Sequence, residues 1–144
     1  MKEALKIAKE AVILGEVPIG AVIVESDTGK VITTAINQVE RNKNPLCHAE
    51  MVAIYEACKI LGTKFLVGYE IYVTLEPCSM CATAISLARL DALYFGAYDV
   101  KTGGVEHGAK IFKVNATHHK PEIVGGIMED ECKKLMTDFF KNLR

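Results

Sequence analysis

Two short segments restrict this chain more than anything else in it: His48-Ala49-Glu50 and, 27 positions further on, Pro77-Cys78-Ser79-Met80-Cys81. Whatever fold forms has to make chemical sense of one imidazole, two thiols and one carboxyl set out in that pattern. An imidazole and two thiolates form a zinc donor set, and three protein ligands leave the fourth tetrahedral position to water. Two thiolates cancel the charge of Zn²⁺ and a neutral imidazole adds none. A water in the open position can then lose a proton near neutral pH without making the site strongly anionic. Glu50 follows His48 too closely to be an obvious fourth ligand, and it is the natural acceptor of that proton. The pattern therefore points to hydrolytic zinc.

Two plainer readings compete. A lone Cys-x-x-Cys can be a redox pair, but such a pair has no use for an upstream His-x-Glu. A structural zinc site would want a fourth Cys or His at equally tight spacing, and the one local candidate, Cys47, abuts His48.

Composition narrows the setting. With 144 residues, half of them hydrophobic, the chain suits a single globular domain over 1–144 with a real core. No apolar run approaches the roughly 18 residues of a membrane span, and the charges at Lys6, Lys9 and Glu10 interrupt any signal-peptide core. Five cysteines, two of them assigned to metal, fit a reducing cytoplasm better than a disulfide framework. A net charge of −1 makes no overall electrostatic case for nucleic acid. From Lys101 onward eight Lys or Arg face six Asp or Glu, a tilt that a solvated surface explains equally well.

Periodicity predicts a helix from Ala4 to Leu14 closed by Gly15, then a hairpin of strands 19–25 and 31–36 joined through Ser26–Lys30. A helix is expected over 50–61, with Met51, Ile54, Tyr55 and Cys58 as its apolar face and Gly62 as its stop. A strand over 70–75, a helix over 77–89, a strand over 92–96, a short segment over 121–126 and a last helix over 129–142 complete the order. Successive strand-helix-strand units imply a sheet of parallel neighbours with helices packed on its faces. Both halves of the metal motif then open helices, with Pro77 at the first helical position and Cys78 and Cys81 on one side of the first turn. The positive helix ends favour the thiolates.

On these residues the chain resembles the zinc-dependent nucleoside and nucleobase deaminases, whose signature is H-x-E…P-C-x-x-C. Glu16-Val17-Pro18-Ile19-Gly20-Ala21-Val22, Asn37, Tyr72-Val73-Thr74-Leu75-Glu76-Pro77-Cys78, Phe95-Gly96-Ala97 with Asp99, and Asp138-Phe139-Phe140 extend the likeness to the tRNA-specific adenosine deaminases. The resemblance covers nearly the whole chain in order. It implies a three-layer α/β/α cytidine-deaminase-like fold with a mixed central sheet of about five strands, a homodimer, and one Zn²⁺ per subunit on His48, Cys78 and Cys81. It also implies conversion of the wobble adenosine of a tRNA anticodon stem-loop to inosine. Zinc-activated water would add to C6 of the purine while Glu50 carries the proton. Asn37, the backbone at Ala49 and the Asp99 segment are implied substrate contacts, and the nucleotide must be splayed from its stack to reach them.

Other residues carry plainer expectations. Phe139 and Phe140 are expected in the core, Cys47, Cys58 and Cys132 as buried thiols, and His118-His119 at the surface with no second metal. By itself the 99–104 segment reads as a solvated loop. Cys47 stands where the family has a small residue, Gly103–Gly108 departs from a shorter loop of small residues, and the basic C-terminal extension of some relatives is absent. Two other functions stay open: deamination of a free guanine or cytidine by the same zinc chemistry, and a non-catalytic zinc-stabilised RNA-binding module, which would have no need of Glu50.

Overall fold

The computed structural model describes residues 1–144. Its elements in chain order are α1 (Lys2–Ile13), β1 (Gly20–Glu25), β2 (Val31–Ile36), a one-turn α2 (Val39–Asn42), α3 (Ala49–Leu61), β3 (Tyr69–Leu75), α4 (Ser79–Leu87), β4 (Ala92–Ala97), a 3₁₀ turn (Ile111–Lys113), β5 (Glu122–Val124) and α5 (Glu129–Asn142). The five strands form one sheet in the order β2-β1-β3-β4-β5. β1 is antiparallel to both β2 and β3, whereas β3, β4 and β5 are parallel. The mixed sheet and the α/β/α architecture agree with the expected class.

The parallel-neighbour rule holds only for the second half. β2 and β3 flank a strand-helix-strand unit, yet β3 pairs with β1, so β1 lies between them. The sequence of β1, Gly-Ala-Val-Ile-Val-Glu, is apolar on both faces, which suits an interior position, and its first five residues are buried. Ala21 and Ile23 pack toward α3 and α4, while Val22 and Val24 pack toward α1. The edge strands β2 and β5 carry the polar and exposed positions.

α1 and α5 cover one face of the sheet, and α3 and α4 the other. The expected apolar face of α3 is met in part, with Ile54 and Cys58 packed at the margin of the core. Its buried side chains are Ala49, Glu50, Ala53 and Ala57, whereas Tyr55 is 66% exposed. Small alanines let the helix axis approach the sheet, a packing advantage that hydrophobicity ranking does not register. Gly62 closes α3 at φ 64, a left-handed cap that suits glycine. α4 is shorter than expected at both ends. Pro77 lies two residues before its first turn, and Arg89, at φ 57, sits in the left-handed region just beyond the helix.

Phe139 and Phe140 stack edge to face at 5.3 Å on the outer part of α5, where Phe139 is half-buried and Phe140 exposed, so neither is a core residue. Cys132 is buried as expected, but Cys47 and Cys58 are only half-buried. Gly96 on β4 is where α5 crosses the sheet. A Cβ there would stand 2.3 Å from Cys132 Sγ and 2.7 Å from the Thr74 carbonyl oxygen. Gly96→Ala should therefore lower stability by about 1–3 kcal/mol, as overpacking of a core does, seen as a reduced midpoint in urea unfolding. No helix is long and apolar enough to cross a membrane.

Candidate active site

The metal motif comes together where β3 ends and α3 and α4 begin. His48 is the N-cap of α3 and Cys78 the N-cap of α4, with Cys81 in the first turn of α4. Neither helix has a side-chain cap, so the imidazole and the thiol at these positions are not spent on backbone amides. The positive ends of both helices favour anionic donors beside them. His48 Nδ1 lies 3.6 Å from Cys78 Sγ and 3.6 Å from Cys81 Sγ, and the three donor atoms all lie within 4.8 Å of one another. A tetrahedral ion with bonds of about 2.0 Å to nitrogen and about 2.3 Å to sulfur requires a nitrogen–sulfur edge of about 3.5 Å. The donor set and its spacing fit zinc. His118 is exposed and His119 accepts from Ser86 through its carbonyl oxygen and faces the Leu90 carbonyl with Nε2. No second group of three such donors exists.

In the protein without the ion, the two sulfurs share their protons unequally. The hydrogen bond from Cys81 and then that from His48 bring the Cys78 thiol down to about 4. Cys78 and burial hold Cys81 above the ordinary thiol range. His48 is raised, first by its bond to Cys78. The contact of the two thiols with each other and with His48 favours loss of a proton from the cluster, and a divalent charge would supply the drive to ionise both sulfurs.

Glu50 is 3% exposed, burial pushes its carboxyl up to about 7, and its Oε2 is a buried polar atom with no partner. A buried acceptor left unpaired costs about 1–3 kcal/mol, and such an atom beside a three-ligand metal cluster is free to accept from water or substrate. This is the arrangement of a hydrolytic site.

Two further carboxylates organise the surroundings, and sequence reading did not single either out. Glu76, 2% exposed, accepts from the backbone amides of Asp99, Val105, Glu106 and His107 and from His107 Nδ1 at 2.8 Å. It pins the 99–107 loop against α4, where the Gly104 amide donates to the Pro77 carbonyl. Gly103 to Val105 are accordingly buried, so this stretch is not the solvated loop its composition suggests. A Cβ on Gly104 would stand 2.5 Å from the Ser79 backbone nitrogen. Asp99 turns its carboxylate onto the Lys101 and Thr102 amides and the Thr102 hydroxyl, which closes its own turn. Glu16, fully buried, accepts from Asn37 Nδ2 and from the amides of Glu40 and Arg41. Asn37 is 4% exposed and Ala49 fully buried.

Burial alone would raise Glu76, but the His107 imidazole and the amides around it hold the carboxyl below its ordinary value. A depressed carboxyl adds stability that is complete above the unfolded-state value of 4.5 and is lost as pH falls through the lower folded value. Glu76→Gln should therefore cost on the order of 2 kcal/mol at neutral pH. The gap to the unmodified protein should close as the buffer is taken below pH 4.5, measured by denaturant unfolding.

A sequence model of the cytidine and deoxycytidylate deaminase zinc-binding region matches residues 1–97, which hold His48, Glu50, Cys78 and Cys81 together with strands β1 to β4. The chain belongs to the cytidine and deoxycytidylate deaminase family. It is 49% identical over 144 residues to a tRNA-specific adenosine deaminase from Rickettsia bellii, covering all of this chain and 99% of the relative. A solved structure from work on A-to-I editing by tRNA:A34 deaminases superposes with a TM-score of 0.90 at 44% identity, over 94% of this chain and 96% of the other. Guanine deaminase from Nitrosomonas europaea shares the fold alone, with a TM-score of 0.83 at 20% identity over 96% of this chain and 81% of the other.

Proposed function

We propose that the chain is a single deaminase domain over 1–144 that converts the wobble adenosine of a tRNA anticodon to inosine, releasing ammonia. The observation that carries the chemistry is the unpartnered Glu50 Oε2 beside the His48–Cys78–Cys81 cluster. The substrate is supported by the tRNA-specific adenosine deaminase named above, which matches this chain from end to end. His48, Cys78 and Cys81 would hold one zinc ion per subunit, which would supply Lewis acidity and make a water acidic near neutral pH.

Glu50 acts first as base and then as acid. It takes one proton from the attacking water and gives it to the purine ring nitrogen as the C6–O bond forms. It then takes the second from the new C6 hydroxyl and gives it to the amino group, which leaves as ammonia as the C6–N bond breaks, so that adenosine and water become inosine and ammonia. Burial suits it to both roles, because a carboxyl shielded from bulk water beside the cluster, with Oε2 unpaired, is placed to take up a proton and to return it. Asn37, the backbone at Ala49 and the Asp99 loop hold the splayed nucleotide. Each sits on a braced element: Asn37 on Glu16, Ala49 in the first turn of α3, and Asp99 on Glu76. The enzyme works as a homodimer in the cytoplasm, a reading that rests on the family resemblance and the reduced-cysteine composition.

The test is incubation of zinc-loaded protein with an anticodon stem-loop carrying wobble adenosine, and separately with cytidine and guanine. Inosine in the RNA is the expected product. Uridine or xanthine would assign the site to free small substrates instead, and no product in any arm would leave a zinc-stabilised binding module.

A further inference from the structure

Glu16 lies on the bend between α1 and β1 and is fully buried, yet all of its side-chain partners belong to another segment. Its Oε1 accepts from the Arg41 amide at 2.6 Å. Its Oε2 accepts from the Glu40 amide at 3.2 Å and faces Asn37 Nδ2 at 3.2 Å. Backbone N–H groups can only donate, so both carboxyl oxygens are acceptors here. The contact to Asn37 must then come from an N–H of its amide. The flipped amide would set Asn37 Oδ1 against Oε2, two lone-pair atoms in a buried site, at the cost of an unmade hydrogen bond.

The nitrogen end of Asn37 is therefore held toward Glu16, which leaves its carbonyl oxygen and second N–H for other partners. The same segment is tied to the metal cluster, since the Gln38 amide donates to the Cys47 carbonyl, one residue before His48.

We propose that Glu16 is a positioning residue for the reaction: it fixes which end of the Asn37 amide faces the base. The proposal rests on the reading above that Asn37 contacts the substrate. A carboxylate at position 16 permits one orientation of Asn37. A carboxamide there has one acceptor oxygen for these donors. With its NH2 toward the Glu40 amide and Asn37 it favours the flipped Asn37, and with its NH2 toward the Arg41 amide it keeps the native one, so the orientation is no longer fixed. Glu16 has no need to touch substrate for this effect.

The test is a double-mutant cycle on the zinc-loaded protein with the anticodon stem-loop, comparing Glu16→Gln, Asn37→Ala and the combined variant under single-turnover conditions. Glu16→Gln should lower kcat/KM by about 10-fold or more in the native background and by less than about twofold when residue 37 is alanine. Equal losses in both backgrounds would overturn the proposal, because a merely structural role lowers activity whether or not Asn37 is present.

A second measurement needs no variant to fold and no substrate. In the unmodified protein one Asn37 Nδ2 proton should exchange slowly with solvent, and fast exchange of both would sink the idea. Absence of inosine formation by the unmodified protein would count against the substrate reading instead, and the cycle would then be run on whichever base it does deaminate.

Discussion

Glu50→Gln should keep its full complement of zinc and lose turnover by on the order of 10²-fold or more, the usual loss when a general acid-base group is removed. Glutamine has nearly the same shape and can fill the same buried site, so the loss will not come from a cavity. What disappears is a group that can both accept and release a proton beside the cluster. Rapid-quench single-turnover assays with elemental analysis of the same sample check this. Full activity in the zinc-replete variant would show that another residue moves the proton.

The same substitution carries a pH signature in the metal-free protein. Burial raises the Glu50 carboxyl from 4.5 to about 7. The stability tied to its protonated form is complete below the unfolded-state value and is lost as pH rises through the folded value. The metal-free native protein should therefore lose stability between about pH 4.5 and 7, a loss from which metal-free Glu50→Gln is exempt. Unfolding midpoints of the two, measured across that range, should diverge toward neutral pH.

Cys78→Ala is the second large effect. Cys78 and His48 stand at the N-cap positions of different helices, so a bound ion would join two elements, and losing one thiolate would release that tie. Zinc per chain should fall toward zero. A ligand present at about a thousandfold its Kd stabilises a native state by about 4 kcal/mol, and in a protein of this size that is worth roughly 10 °C in Tm. A chelator distinguishes metal loss from simple packing damage. It should lower the Tm of the native protein by a similar amount and leave Cys78→Ala unchanged. A zinc-replete Cys78→Ala would remove this residue from the ligand set.

The candidate metal donors His48, Cys78 and Cys81 were legible in the sequence because their chemistry is local. His-x-Glu and Pro-Cys-x-x-Cys announce ligand type and spacing, and helix-start geometry follows from a few neighbouring residues. The last helix was readable to its ends, at Glu129 and Asn142, because its acidic start and amphipathic period agree. Glu16 and Glu76 were not legible as supports. Each reads as an ordinary charged residue, and what makes it structural is a set of amides 21 to 31 positions away in the chain. The one available signal was a lone carboxyl closing an apolar strand immediately before Pro77, and another just before Val17-Pro18. The face of α3 was only partly legible: Ile54 and Cys58 pack against the core as expected, but Tyr55 is exposed and the fully buried positions are Ala53 and Ala57, because the closeness of helix and sheet favours the smaller side chains.

Sequence alone determined the longer helices and strands and singled out His48, Glu50, Cys78 and Cys81 as the candidate site, since each depends on residue chemistry and on neighbours within a few positions. The placement of β1 between β2 and β3, the burial of the 103–105 loop and the two carboxylate braces were decided only by tertiary structure. Those features arise from pairing surfaces far apart along the chain, where burial turns a common glutamate into an acceptor for a particular set of donors.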